Sequence, residues 1–292
     1  MTHVLKNEFY TLTVDELGAQ MLSLISNGKE MLWNTKLEGC WSEHAPLLFP
    51  VCGRLKDGEY VYGSKVYKMP QHGFAKRTTF TVKSKTETCI ELEFASSEET
   101  RAIYPFDFVF GAKYELSGKE VKFSVTVENK DTKVMPYMFG WHPGFNLPTD
   151  GGQDIEDYQL NFGKLDSCVW IPLQHVAFAS PKRVNYPLNN GCYRLCEKEI
   201  YDNDTLIFEE HFNKVSLYAE GHPFKLDMEW SANLPSLCIW KQPDSNAKFL
   251  CIEPWTGTPN NGEDTENFET RKMARLNPGE KEAFSYSMSF TH

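Results

Sequence analysis

No stretch of this 292-residue sequence approaches eighteen consecutive apolar residues, so a membrane-spanning helix is not expected. The opening residues, MTHVLKNEFYTLTV, lack the apolar core of an export signal. Basic charge is in deficit: 30 Lys and Arg stand against 40 Asp and Glu, a net charge of −10. A surface of that sign repels phosphate backbones and anionic lipid, so neither nucleic acid nor a membrane is an expected partner. Cysteines number eight, yet no CxxC pair occurs, and Cys192 with Cys196 has no second pair to complete a zinc site. Cys89, Cys238 and Cys251 lie in apolar runs, where a thiol behaves as a small hydrophobe. Free thiols suit a reducing compartment, and the expected location is the cytoplasm.

Helix signals are equally scarce. Ser96 and Glu99 have capping-box spacing ahead of Thr100–Ile103, and Pro105 limits that helix to one or two turns. Residues 14–25 fit a helical stripe, but Gly18 and the β-branched flanks favour a pair of strands.

What the sequence does contain is alternation. Val121, Phe123, Val125 and Val127 take one side of 120–129, while Lys122, Ser124, Thr126 and Glu128 take the other. Phe284, Tyr286, Met288 and Phe290 alternate with serines, and weaker versions run over 8–14, 78–84, 88–94, 108–116, 214–219 and 224–230. Turn signals separate them, among them Asn27-Gly28, Ser117-Gly118 and Asn277-Pro278-Gly279. Twenty Phe and 13 Tyr supply the residues that pleated, half-buried surfaces prefer. With no repeat and only a short loop-like stretch at 148–158, the expectation is all-β: one large antiparallel sandwich over 1–292 with few short helices.

Four clusters interrupt this strand-like text with polar groups. The first runs from His44 to Leu55 and ends Phe-Pro-Val-Cys-Gly-Arg-Leu, aiming the Arg54 guanidinium from an apolar run. The second is Gln71-His72-Gly73-Phe74-Ala75-Lys76-Arg77, and the third Gly140-Trp141-His142-Pro143-Gly144-Phe145. The fourth, Phe249-Leu250-Cys251-Ile252-Glu253-Pro254-Trp255, closes an apolar strand with a carboxylate that is costly to bury unpaired. Any one of these histidines is by itself more simply a structural residue.

Taken together and in this order, with Tyr-Pro-Phe-Asp-Phe at 104–108, the clusters resemble the aldose 1-epimerase family, also called galactose mutarotase-like, and most of all its LacX-type branch. The resemblance runs from about residue 8 to residue 290 and implies the mutarotase supersandwich fold. It also implies interconversion of the α and β anomers of an aldohexose, phosphorylated or not, without metal or redox cofactor, by a monomer or homodimer. It carries the general base onto Glu253 and the general acid at the ring oxygen onto His142. His72 matches a second histidine near that oxygen, and Arg54 an arginine that holds sugar hydroxyls. An acidic sugar-binding residue falls in Asp202-Asn203-Asp204, where Asp204 is favoured because it directly precedes an apolar strand. Ordinary side-chain pKa values suit these roles, a part-protonated His facing an ionised Glu. Two departures stand out. Lys76 replaces a common arginine, and Gly144-Phe145 replaces a more frequent pair of aromatics.

Three rival readings remain at this level. A non-catalytic carbohydrate-binding or regulatory protein on the same fold would not need an acid facing a base. A glycoside hydrolase would want two carboxylates across the bond it cuts. A metal site on His44, His72 and His142 lacks any HxH or HxxxH spacing. A sugar phosphate would have to be met by Lys76 or Arg77, whose side chains diverge if the segment is a strand. An unphosphorylated aldose is therefore the expected substrate.

Overall fold

The alternating segment 120–129 folds as the strand Glu120–Asn129, with Val121, Phe123, Val125 and Val127 buried, in a computed structural model that describes residues 1–34, 39–148, 150–174, 178–209, 212–242, 247–263 and 265–292. It pairs antiparallel with Phe108–Ser117 on one side and Lys281–Thr291 on the other. These three are the middle of a nine-stranded sheet. Its order is Cys192–Arg194, Tyr158–Asn161, Lys214–Ala219, Lys225–Trp230, Lys281–Thr291, Glu120–Asn129, Phe108–Ser117, Cys89–Ala95 and Thr81–Lys85. All the alternating segments of the sequence except 8–14 fall in this sheet.

A second, eight-stranded sheet carries the clusters. Its path runs Val184–Pro187, Ser167–Ile171, Thr205–Glu209, Ser236–Trp240, Phe249–Trp255, Gly140–Trp141 and Leu47–Leu48, with Gly144–Asn146 also paired to Phe249–Trp255. Phe249–Trp255 is buried along its whole length. Period two then divides its side chains. Leu250 and Ile252 join the main core, while Cys251 and Trp255 belong to smaller clusters on the far face, the face Glu253 shares. The two sheets meet through aromatic rings: Trp141 lies 4.9 Å from Phe123 and 5.2 Å from Tyr286, and Phe139 lies 4.9 Å from Phe284. Each such burial is worth about 1.5–3 kcal/mol, and together they fix which way the neighbouring His142 must point.

The pair Tyr10–Asp15 and Met21–Ser26 confirms strands over 14–25, joined by a turn in which Gly18 and Ala19 have positive φ. Two local expectations are corrected. The short helix Glu98–Ile103 is capped by Ser97 rather than Ser96, and Thr100 rather than Glu99 completes the box. Ser96 instead donates its hydroxyl to Asp107 at 2.9 Å. Residues 75–77 form a single 3-10 turn and not a strand, so the opposite-face argument for Lys76 and Arg77 does not apply. A second helix, Glu197–Asn203, was not foreseen. Among the described residues these two are the only α-helices, and neither is long and apolar enough to cross a membrane.

Candidate active site

The far face of the eight-stranded sheet, with the loops before it, encloses a cavity of about 310 Å³. Strand alternation delivers the central groups. Trp141 enters the inter-sheet core, so His142 turns the other way, and Glu253 reaches the same space from the neighbouring strand. That pairing is close because residue 140 has no side chain: a Cβ there would lie 2.3 Å from Trp255 Cδ1. His142 Nε2 stands 3.4 Å from Glu253 Oε1. His72 joins them, its ring 5.6 Å from that of His142 and its Nδ1 accepting from Gly53 N–H at 3.1 Å. Arg54 lines the rim, donating Nε–H to Gln71 at 3.0 Å.

Asp204 also lines the cavity, and Asp202 does not. The unforeseen helix accounts for the difference. It holds Asp202 on an exposed turn, paired with Lys198 one turn back, and the chain then leaves through Asp204 at φ 61°. All five residues singled out in the sequence, Arg54, His72, His142, Asp204 and Glu253, thus converge on one cavity. His44 does not: its Nδ1 bonds the Trp33 carbonyl at 2.8 Å, and it lies outside the lining that His72 and His142 share. Larger hollows of about 400 and 700 Å³ lie elsewhere on the molecule, and neither is lined by a histidine.

Burial changes the proton arrangement expected from ordinary pKa values. Glu253 is 1% exposed. That burial pushes its carboxyl well above the usual carboxylate range. The Trp255 indole opposes the shift without making a well-formed hydrogen bond, and Asp204 adds to it. His142 moves the other way, pushed down to about 3 by burial and further by the Lys76 charge. Burial also lowers His72 well below its ordinary value and raises Asp204, where Arg54 partly compensates. Burial thus reverses the order of the two proton affinities, so that a single proton on the pair in the free cavity favours Glu253 and leaves His142 neutral. Burial works against the ionised Glu and part-protonated His that ordinary values suggest.

Lys76 lines the cavity but is buried against Glu43, Nζ to Oε2 2.8 Å, and Arg77 turns away to the Gly73 carbonyl at 3.5 Å. Sequence reasoning missed Trp41, Glu43 and Trp240 on the cavity wall. Only Trp41 and Glu43 had a signal, their closeness to the first cluster. One group of metal-ligand atoms lies together among the described residues: His142, Cys251 and Glu253, within 4.8 Å of one another. Cys251 packs with Trp33, Ala247 and Phe249, and burial holds its thiol protonated, so a metal would first have to displace that proton.

Comparison with known proteins gives a consistent result. The family model described as Aldose 1-epimerase matches residues 1–289. Protein LacX, chromosomal, of Lactococcus lactis subsp. lactis is 27% identical over 302 residues, covering 99% of this chain and 99% of that protein. The structure of a galactose mutarotase related enzyme from Lactobacillus acidophilus superposes with a TM-score of 0.92 at 32% identity, covering 99% of this chain and 97% of that one. A galactose mutarotase-like protein from Lactobacillus casei ATCC 334 superposes with a TM-score of 0.90 at 25% identity, covering 99% and 100%.

Proposed function

Because this chain belongs to the aldose 1-epimerase family, we propose that it is a mutarotase, interconverting the α and β anomers of an unphosphorylated aldohexose. The base takes the proton of the C1 hydroxyl, the bond from C1 to the ring oxygen breaks, and the acid protonates that oxygen. The open aldehyde turns about C1–C2 and closes on its other face by the reverse transfers. The C1–oxygen bond that breaks is re-formed and no proton or electron is gained or lost overall, so this chemistry calls for no redox cofactor and can run on protons alone. Glu253 acts as base and His142 as acid, with His72 beside the ring oxygen. Arg54 and Asp204 hold hydroxyls through charge-assisted hydrogen bonds. The observation that carries this reading is the 3.4 Å approach of His142 Nε2 to Glu253 Oε1 in a cavity both line.

Before sugar arrives, burial favours a shared proton on the carboxyl over one on His142. Sugar hydroxyls donating to Glu253 favour its ionised form. The proton then passes to His142, and ring opening begins from carboxylate and imidazolium. Unphosphorylated sugar is favoured because Lys76 is paired with Glu43 and Arg54 is assigned to sugar hydroxyls. A phosphate would bring about two negative charges to a lining whose lysine is already neutralised by a carboxylate. We read residues 1–292 as one domain, since one hydrophobic cluster runs from Leu5 to Met288.

The test is polarimetry or NMR of freshly dissolved pure anomers across free and phosphorylated aldoses. Faster equilibration of a free aldohexose is expected. Sugar binding with no acceleration of any sugar would refute turnover and leave the non-catalytic carbohydrate-binding reading.

A further inference from the structure

A histidine that handles protons is ordinarily oriented by a hydrogen bond at its second ring nitrogen. His142 lacks one: Nε2 faces Glu253, while Nδ1 is buried with no hydrogen bond to another residue among those described. Aromatic surfaces hold the ring instead. Trp41 stacks on it at 5.0 Å and 28°, and Trp240 meets it edge-on at 5.5 Å and 74°. The stack continues behind Trp41 through Phe249, at 5.6 Å, to Trp33, at 4.7 Å.

Trp41 belongs to no strand, so its position has to be secured by side chains. Gln242 does this from both sides. Its amide oxygen accepts the Trp41 N–H, and its Nε2 donates to the Gly39 carbonyl at 2.7 Å. The Trp33 indole donates to the Trp41 carbonyl at 2.9 Å. Gly144 provides the room, since a Cβ there would lie 2.8 Å from Trp41 Cζ3. The departure from an aromatic pair after His142-Pro143 is thus matched by an indole arriving from another part of the chain.

We infer that Trp41, latched by Gln242, is the positioning residue that sets the orientation of the His142 ring; the inference rests on the acid–base reading above. A stacked indole suits this task because it fixes the ring plane without binding Nδ1. It also accepts an imidazolium as well as an imidazole, since a cation over an indole face is favourable. Loss of the stack frees the ring to turn about its Cβ–Cγ bond, away from the ring oxygen.

Gln242 does not line the cavity, so Gln242→Ala tests the latch without removing a wall of the site. Anomerisation kinetics and the NMR shifts of the His142 ring protons are measured together. Gln242→Ala and Trp41→Leu are expected to lower kcat by about 10- to 100-fold, the scale of an ångström-sized misplacement, with KM little changed in Gln242→Ala. The His142 ring protons, shielded by the Trp41 ring current, should move downfield in both. Trp41→Phe, which keeps a ring against His142, should recover most of the rate. Unchanged kcat in Trp41→Leu and Gln242→Ala overturns the inference, and so do unmoved His142 resonances in Gln242→Ala. Failure of the underlying reading looks different, as wild-type protein that accelerates no sugar; the resonances then decide whether Trp41 holds His142.

Discussion

The inverted protonation of Glu253 and His142 has a consequence for stability that needs no substrate. In the unfolded chain these groups titrate near their ordinary values of 4.5 and 6.5. Between those values the unfolded pair carries one proton, on the histidine. In the proposed folded pair the carboxyl holds one as well, since burial raises Glu253 well above its ordinary value and lowers His142 to about 3. No net proton is exchanged, and the pair adds no slope to stability across that window.

Glu253→Gln leaves only His142. Its folded pKa is depressed, so its contribution is complete above 6.5 and is lost as pH falls toward about 3. Relative to wild type, stability should rise with pH across the window by up to about 1.4 kcal/mol per pH unit. His142→Asn leaves only Glu253, whose folded pKa is raised. That contribution is complete below 4.5 and is lost as pH rises toward the folded value, so relative stability should fall at a similar limiting slope. Urea denaturation of the three proteins at pH 4.5, 5.5 and 6.5 measures both slopes, and taking differences from wild type removes the other titrating groups. Parallel curves, or two variants sloping the same way, would refute the proposed protonation.

In turnover, Glu253→Gln and His142→Asn should each lower the anomerisation rate by about 10²–10⁴, while sugar binding, measured by calorimetry, is retained better than rate. Wild-type protein should process free glucose or galactose more efficiently than the 6-phosphates; a phosphorylated sugar preferred tenfold or more, with an advantage that shrinks as salt is added, would contradict the engaged state of Lys76. Gly140→Ala drives a methyl against Trp255 and should cost about 1–3 kcal/mol of stability, read as an unchanged urea slope with a lower midpoint.

How much of this could be read from the sequence depended on the range of the forces involved. Strand alternation is local, because a pleated backbone sends Val121 and Phe123 one way and Lys122 the other whatever lies beyond; it therefore identified the central strands and the all-β class. The resemblance carried by the four clusters brought forward Arg54, His72, His142 and Glu253, which converge on one cavity. Cap identity at Ser97 failed by one residue because Asp107, eleven positions after Ser96, captured the Ser96 hydroxyl.

The choice between Asp202 and Asp204 was a preference in the sequence and a geometric fact only once the helix Glu197–Asn203 had turned the first outward. The protonation of the pair could not be read at all. Ordinary pKa values belong to groups in water, and desolvation by a folded core acts in opposite directions on an acid and a base. Trp41 and Gln242 are 201 residues apart, and only the folded chain brings them together beside His142. Alternation and motif chemistry were thus written in the sequence, whereas proton location and ring orientation came from burial and long-range contact, which exist only in the tertiary structure.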